Sequence, residues 1–330
     1  MLLVKAPQKE VLFETQQVLR KYSLNTVCEE SLCPNIGECF SKGTATFLIL
    51  GKVCTRACKY CHVATGKPTA PDPSEPIRLY YAIKELRLRY VVITSVDRDD
   101  LPDYGSGHFR RCVEFLKSRD KGLKVEVLTP DFQGSERALE NLVISYPDVL
   151  AHNIETVERL FPKVRPQGDY KRSLHVLEFY SKSQVAPVKS GLMLGLGERW
   201  EDVIKTMEDL KEVGVSILVI GQYLSPSPKH YPVAKIYSKE EFDRLKDVAF
   251  SLLVKAPVDS ITTSTPSSPH GISAGSFTEN TLTSFPSTTR LESFASTFPL
   301  NLPCTESYFS RWAKVCVSVR SLIATISISS

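Results

Sequence analysis

Between residues 46 and 250, short runs of branched apolar residues alternate six times with amphipathic stretches of helical period. Runs rich in Val, Ile and Leu are typical of strands buried on both faces. Because each strand is followed by a helix, consecutive strands join by crossovers and lie parallel. The pattern predicts an α/β fold, a partial (βα)6 TIM-like barrel. The predicted strands are 46–50, 90–94, 123–128, 148–153, 188–194 and 216–222, and the predicted helices are 75–89, 106–119, 135–145, 169–183, 199–213 and 239–250.

Polar residues collect directly after these strands. A group of cysteines follows the first strand, and the segments TSVDRDD, TPD, HNIET, GLGE and GQY follow the other five in order. In a parallel α/β barrel the active site lies at the carboxyl ends of the strands. The sequence therefore predicts one site, built from these loops at one rim of the barrel.

Cys54, Cys58 and Cys61 form a C-x3-C-x2-C loop after the first predicted strand. Three thiolates can bind three irons of a 4Fe–4S cluster and leave the fourth iron open to a small molecule. The alternative is a zinc site with His62 as the fourth ligand, although zinc ligands usually come as two separated pairs. We interpret the loop as an iron–sulfur site, because its spacing resembles that of the radical S-adenosylmethionine enzymes. In those enzymes the methionine amine and carboxylate bind the open iron.

A second triplet, Cys28, Cys33 and Cys39, lies upstream with C-x4-C-x5-C spacing. Taken alone, this spacing is about equally consistent with structural zinc and with an iron–sulfur cluster. The chain has nine cysteines and no secretory signal at its start. Cysteines in such a chain favour metal binding in a reducing compartment over disulfides, so we expect a cytoplasmic protein.

Charge and hydropathy argue against two classes of partner. The formal net charge of +4 is small for 330 residues, and no block of Lys or Arg is dense enough to predict nucleic-acid binding. No apolar stretch approaches the length needed to cross a bilayer. We therefore expect neither a nucleic acid nor a membrane as a partner.

The motifs between about residue 20 and residue 250, taken together, resemble the lipoyl synthase family. The segments that carry the resemblance are TVCEESLCPNIGEC, ATFLILGKVCTRACKYCHVATGKP, YVVITSVDRDDLPDYGSGHF, VEVLTPDFQG, AHNIETVERLFPKVRP, KSGLMLGLGE and VIGQYLSPSPKHYPVAKIYSKEEF. The resemblance implies a barrel of the radical SAM type over 46–250. It also implies that 1–45 form an N-terminal helix and a cluster-binding extension.

The resemblance further implies a sulfurtransferase that inserts two sulfur atoms at C6 and C8 of a protein-bound octanoyl group. The implied cofactors are S-adenosyl-L-methionine and two 4Fe–4S clusters, one on the C-x3-C-x2-C loop and one, the sulfur donor, on the upstream triplet. The implied partners are octanoylated lipoyl domains of 2-oxoacid dehydrogenases, the glycine cleavage H protein, and an electron donor such as ferredoxin or flavodoxin. Three alternatives stay open: an impaired homologue, a lipoyl-carrier-binding protein, and another radical SAM sulfur-inserting enzyme.

The polar residues of the rim are assigned to the cofactor by the usual arrangement of that superfamily. For each of them a structural ion pair or hydrogen bond is about equally consistent. Lys163, Arg165 and Lys171 have the further alternative of contacting an acidic carrier domain. The predicted cofactor-binding residues are Ser95, Asp97, Asn153, Glu155, Arg165, Lys189 and Gln222.

Residues 251–330 differ from the rest of the chain in composition. Twenty-nine of them are Ser or Thr, few are charged, and no helical or strand period is evident. Such a composition predicts a low-complexity or disordered tail. The resemblance implies an Arg-Ser-Ser-Tyr motif, whose serine ligates the auxiliary cluster, and this motif is not found in the sequence. The nearest match is Val319-Arg320-Ser321, which makes Ser321 the candidate ligand.

Overall fold

Six parallel strands, each followed by a helix, form the centre of the protein. The computed structural model describes residues 9–30, 44–253, 314–318 and 325–327, with side chains described for 13–30 and 45–252. The strands lie in the sheet in chain order. They are β1 (Thr44–Ile49), β2 (Tyr90–Ser95), β3 (Lys124–Leu128), β4 (Val149–Ala151), β5 (Val188–Leu194) and β6 (Ile217–Gln222). The helices that follow are α1 (Glu75–Glu85), α2 (Ser106–Arg119), α3 (Glu136–Val143), α4 (Tyr170–Ser183), α5 (Trp200–Glu212) and α6 (Lys239–Leu253).

The sheet is open, so the barrel is partial. Each parallel strand pairs with the next, from β1 with β2 to β5 with β6, and the described residues contain no pairing between β1 and β6. The short strand Asn25–Thr26 adds antiparallel to the edge of β1. The predicted α/β class and the six βα units are confirmed.

Several short elements complete the described part of the chain. None of its helices is both long and apolar enough to cross a membrane. The further helices are Lys9–Lys21, Val27–Glu30 and Phe161–Val164, the 3-10 turns are Phe132–Gly134 and Glu158–Leu160, and a separate two-stranded sheet joins Val53–Cys54 to Ala64–Thr65.

Local sequence explains where the helices begin and which faces they bury. The side chain of Ser135 caps α3 by accepting a backbone hydrogen bond, and Asp169 does the same for α4. Leu139 and Leu142 lie on one face of α3 and are fully buried. Burial of each such side chain contributes about 2 kcal/mol. Both caps belong to loops that follow a strand, so they also fix the rim where the site is expected.

The fourth strand ends earlier than the predicted 148–153. The chain leaves the sheet after β4 and returns at Glu155, whose N–H donates to the carbonyl oxygen of Gly191 at 2.9 Å. Glu155 has a φ of +68°, in the left-handed region. A residue with a side chain pays about 1 kcal/mol or more for this conformation. Such strain is typical of functional sites, and here it falls on a predicted site residue.

Two strands lie in the Ser/Thr-rich tail, where the composition predicted no regular element. Lys314–Ser318 pairs antiparallel with β6, and Thr325–Ser327 pairs with Lys314–Ser318. The run KVCVS is rich in β-branched residues, and the edge of β6 offers unpaired backbone groups. Pairing at that edge places the β-branched run in a strand and gives the backbone groups of β6 hydrogen-bond partners.

Candidate cluster and cofactor site

The three cysteines of the C-x3-C-x2-C loop line one cavity at the carboxyl ends of β1 and β2. The cavity opens to solvent, and Ser95 and Asp97 also line it. Cys54 Sγ lies 3.6 Å from Asp97 Oδ2 and accepts a hydrogen bond from the Asp97 N–H at 3.3 Å. The fold therefore brings Cys54, Cys58, Cys61, Ser95 and Asp97 together as predicted neighbours.

Hydrogen bonds attach the first half of the cysteine loop to the end of β2. Thr55 donates from its N–H and its hydroxyl to the carbonyl oxygen of Asp97, at 3.1 Å and 2.9 Å. In return the Thr55 hydroxyl accepts from the N–H of Asp99 at 3.1 Å. The position of Cys54 is thus coupled directly to the loop that carries Asp97.

The second half of the cysteine loop is attached to two other loops. The N–H of Ala57 donates to Gln167 Oε1 at 2.7 Å, and the N–H of Lys59 donates to the carbonyl oxygen of Val164 at 2.9 Å. The carbonyl oxygen of Lys59 accepts from the N–H of Tyr231 at 2.8 Å. Two segments far apart in sequence, 164–167 and the one with Tyr231, therefore hold this half of the loop in place.

Arg56, inside the cysteine loop, is the residue that the sequence analysis missed. Its guanidinium is buried and donates two hydrogen bonds to Asp99, at 2.6 Å and 2.7 Å, and one to Asp131 at 2.7 Å. Arg56 Nη1 lies 3.3 Å from Asp97 Oδ1, close enough for an ion pair but without hydrogen-bond geometry. Burial by itself would lower the pKa of Arg56, but these carboxylates raise it above its usual range. The only sequence signal was a charged residue between two cysteines.

Burial dominates the electrostatics of the three thiols. It raises the pKa of Cys54 and of Cys61 to about 12, and it also raises the pKa of Cys58. Thiolates, not thiols, bind metals, so these side chains need positive charge nearby to ionise. No group of three or more His, Cys, Asp or Glu within the described ranges surrounds the position of a single ion. A 4Fe–4S cluster makes a different demand, because each thiolate binds its own iron.

Four predicted site residues carry buried polar atoms that lack a hydrogen-bond partner among the described residues. They are Ser95 Oγ, Asp97 Oδ1, Glu155 Oε2 and Arg165 Nε. Each such atom costs about 1–3 kcal/mol if nothing pairs with it. Unpaired buried atoms at the carboxyl ends of the strands are what a polar ligand would satisfy. The donor set therefore fits both an iron–sulfur cluster and a polar cofactor.

Arg165 and Glu155 are coupled to the cysteine loop by charge. Burial raises the pKa of Glu155 to about 7, although the positive charge of Arg165 opposes this shift. Arg165 also lowers the pKa of Cys58, against the larger effect of burial. Arg165 Nη1 donates to the carbonyl oxygen of Asn153 at 3.2 Å, and its guanidinium lies 5.5 Å from the Phe161 ring. Asn153, Glu155 and Arg165 thus form one buried group beside the thiols.

Lys189 and Gln222 are not brought to this group. Lys189 is the second residue of β5, and its Nζ lies 2.9 Å from Glu126 Oε1. Gln222 Nε2 donates to the carbonyl oxygens of Leu194 and Lys235, at 3.2 Å and 3.0 Å. Both side chains make contacts within the fold, and their role as cofactor residues stays a prediction.

The auxiliary triplet lies mostly outside the described residues. Cys28 is buried in the short helix Val27–Glu30, beside the edge of β1. Cys33, Cys39 and Ser321 fall outside the described ranges, so their role as ligands stays a prediction.

Comparison with known proteins identifies the family. The Radical SAM superfamily profile matches residues 48–210. The chain is 53% identical over 242 residues to lipoyl synthase from Aquifex aeolicus (strain VF5), covering 73% of this chain and 88% of that protein. It is 52% identical over 233 residues to lipoyl synthase from Histophilus somni (strain 2336), covering 70% and 73%. This chain belongs to the lipoyl synthase family. As a member it is a sulfur-inserting enzyme that uses S-adenosyl-L-methionine and two 4Fe–4S clusters.

A more distant likeness extends the fold beyond lipoyl synthases. The structure of HydG, a maturase of the [FeFe]-hydrogenase, superposes with a TM-score of 0.52 at 14% sequence identity, covering 75% of this chain and 66% of that one. At this identity the likeness concerns the fold alone. The partial barrel is therefore shared with a protein of different activity.

Proposed function

We propose that this lipoyl synthase inserts sulfur at C6 and C8 of an octanoyl group held on a lysine of a lipoyl domain or of the glycine cleavage H protein. The observation that carries the proposal is the cavity lined by Cys54, Cys58 and Cys61, beside buried polar atoms that form no hydrogen bond with the described residues. We further propose a ferredoxin or flavodoxin as electron donor and a cytoplasmic location. The proposed segments are 1–45 for the auxiliary cluster, 46–250 for the barrel and 251–330 for the tail.

In this proposal the three cysteines of the loop hold a cluster with one open iron. When S-adenosyl-L-methionine is bound there, its one-electron cleavage supplies the 5′-deoxyadenosyl radical that an unactivated C–H bond requires. The chain itself must hold the loop rigidly, and the hydrogen bonds of Thr55, Arg56 and Ala57 serve this purpose. Buried Val63 and Val96 give the cavity apolar walls that exclude water and its side reactions.

The buried polar group would orient the cofactor. Arg165 Nε is a free donor within the described residues and suits the methionine carboxylate, since guanidinium and carboxylate form charge-assisted hydrogen bonds. Asp97 Oδ1 and Glu155 Oε2 accept no hydrogen bond from the described residues, and they suit the methionine amine or the ribose hydroxyls. Ser95 Oγ can donate or accept. Asn153, buried beside Arg165, suits the ribose.

Cysteine variants test this division of labour. Cys58→Ala should abolish formation of 5′-deoxyadenosine, because two thiolates do not hold the open-iron cluster. Cys33→Ala should leave that cleavage intact but stop formation of the lipoyl product, because it removes a ligand of the proposed sulfur donor. Cys112→Ala is the matched control, since this thiol is buried on α2 away from the cavity, and it should keep both activities. Both products are measured by mass spectrometry with an octanoylated carrier domain.

Equal loss of cleavage in the Cys58 and Cys33 variants, with unchanged far-UV circular dichroism, would contradict the proposed roles. Iron analysis after anaerobic reconstitution gives an independent reading. We expect about eight irons per wild-type chain and about four in either variant, because each cluster holds four.

One observation favours a second function, a chain that cleaves S-adenosyl-L-methionine but makes little lipoyl product. The Arg-Ser-Ser-Tyr motif is not found in the 330 residues. Grafting an ending with that motif after about residue 250 would then restore sulfur insertion. Full product formation by the unmodified chain and by its Ser321→Ala variant would exclude this second function.

A further inference from the structure

The lysines of this chain differ in how their charges are compensated. On the helical outer surface three lysines pair with carboxylates one turn away: Lys182 with Glu178, Lys205 with Asp209, and Lys239 with Asp243, whereas the exposed Lys171 and Lys211 form no ion pair among the described residues. Five lysines near the cavity are exposed and form no ion pair with any carboxylate that the structure describes. These five, which we call the cationic rim, are Lys52, Lys59, Lys67, Lys163 and Lys229.

The rim residues come from segments that meet at the cysteine loop. Backbone hydrogen bonds join Lys59 to Val164 and to Tyr231. Val164 directly follows Lys163 in the chain, and Tyr231 follows Lys229 and His230. The rings of His62 and His230 lie 5.4 Å apart. Lys52 and Lys67 flank the small sheet that pairs Cys54 with Thr65. The five lysines therefore lie in segments that form or contact the cysteine loop, whose cysteines line the cavity.

The two segments that carry four of the five rim lysines contain no acidic residues. Residues 50–71 and 223–237 contain no Asp or Glu. The nearby carboxylates Asp99 and Asp131 are already bonded to Arg56. Like charges that are left without counter-charges repel one another, and this cost is recovered when a surface of opposite sign binds.

We propose that the cationic rim is the docking surface for an acidic protein that carries the octanoyl group on a lysine. The proposal rests on the proposed function, because it assigns the partner of the same cavity. An octanoyl chain must enter through the opening to reach the cavity, so its carrier has to contact the residues around it. An electron donor has no such requirement, since electrons cross protein without entering the cavity. The carrier is therefore the partner that this position favours.

The test reverses two rim charges that lie outside the cysteine loop. Lys163→Glu/Lys229→Glu is compared with Lys121→Glu/Lys211→Glu, two exposed lysines that precede β3 and β6 at the opposite end of the barrel. Lipoyl formation is measured with dithionite as reductant, which removes any protein donor from the assay. The substrates are an octanoylated lipoyl domain of net negative charge and a short neutral peptide bearing octanoyl-lysine.

We expect the rim variant to raise the KM for the acidic domain about tenfold at low salt, with kcat within about twofold, and to approach wild type at high salt. The KM for the neutral peptide, the iron content and the control variant should be unchanged. An unchanged KM for the domain, or an equal rise for the peptide, would overturn the proposal. A defect seen only when flavodoxin replaces dithionite would assign the rim to the electron donor and also overturn it.

Equilibrium binding separates this proposal from the proposed function. Titration calorimetry with the octanoylated domain measures docking without turnover. Binding that weakens in the rim variant supports the docking surface even if the wild-type chain makes no lipoyl product. If the wild-type chain makes lipoyl product and the rim variant changes neither KM nor binding, the proposed function stands and the proposed docking surface is refuted.

Discussion

Replacing Arg56 by Ala should weaken the whole cysteine loop, because this side chain links the loop to the ends of two strands. The side chain of Arg56 is 1% exposed, and that of its partner Asp131 is fully buried. The variant removes two hydrogen bonds to Asp99 and one to Asp131. It leaves those carboxylates without their main counter-charge.

The expected loss follows from what remains to compensate each carboxylate. Removing one partner of a buried ion pair typically costs about 3–5 kcal/mol. Asp131 keeps a hydrogen bond from Arg172 Nε at 2.8 Å, and Asp99 is partly exposed to water. We therefore expect the lower end, about 3 kcal/mol, for Arg56→Ala. Arg56→Lys should lose about half as much, because an ammonium keeps the charge but not the planar fork that reaches both carboxylates.

Anaerobic urea unfolding of the reconstituted protein, followed by circular dichroism, measures this loss. The control is Arg159→Ala, which removes an exposed pair with Asp202 and should cost less than about 1 kcal/mol. Iron content and the electron paramagnetic resonance signal of the reduced cluster report whether the loop still holds its cluster. A free energy of unfolding of Arg56→Ala within about 1 kcal/mol of the wild-type value, together with full iron content and an unchanged signal, would refute our account of this network.

Two further predictions concern the loops and the boundary of the barrel. Gly195→Ala should cost about 2–3 kcal/mol in urea unfolding, because its φ is +102° and a Cβ there would lie 2.5 Å from the carbonyl oxygen of Lys235. Gly197→Ala, with a φ of +99° but a nearest contact of 3.6 Å, should lose only the conformational part, and equal losses would contradict the predicted steric clash. Limited proteolysis should leave a resistant fragment ending near residue 250. Equally fast cleavage throughout 90–220 would contradict the proposed barrel.

The helices and strands were largely predictable, because local period and burial determine them. The strand 188–194 and the helix 106–119 were predicted with the bounds that the structure has. The alternation of apolar and amphipathic segments leaves few arrangements that bury every apolar face. The strand Lys314–Ser318 was missed, since its stability depends on a partner edge about a hundred residues earlier in the chain rather than on a repeating pattern.

The site was predictable only where its residues lie close together in the sequence. Three cysteines within eight residues predict an iron–sulfur site from the sequence, because a short loop can bring them to one cluster. Lys189 was assigned to the cofactor by the usual arrangement of the superfamily. The predicted strand 188–194 already places it at the amino end of its strand, away from the rim. Its partner Glu126 belongs to another strand, and only the tertiary structure brings these two side chains together.

The sequence by itself determined the βα repeat, the open-iron cysteine spacing and the family. Tertiary structure brought Arg56 to Asp99 and Asp131, and it brought the segments of Lys59, Lys163 and Lys229 together. The physical reason is the range of the interactions. Period, propensity and short ligand spacings act within a few residues, whereas ion pairs and shared surfaces depend on loops that only the crossovers of the barrel bring together.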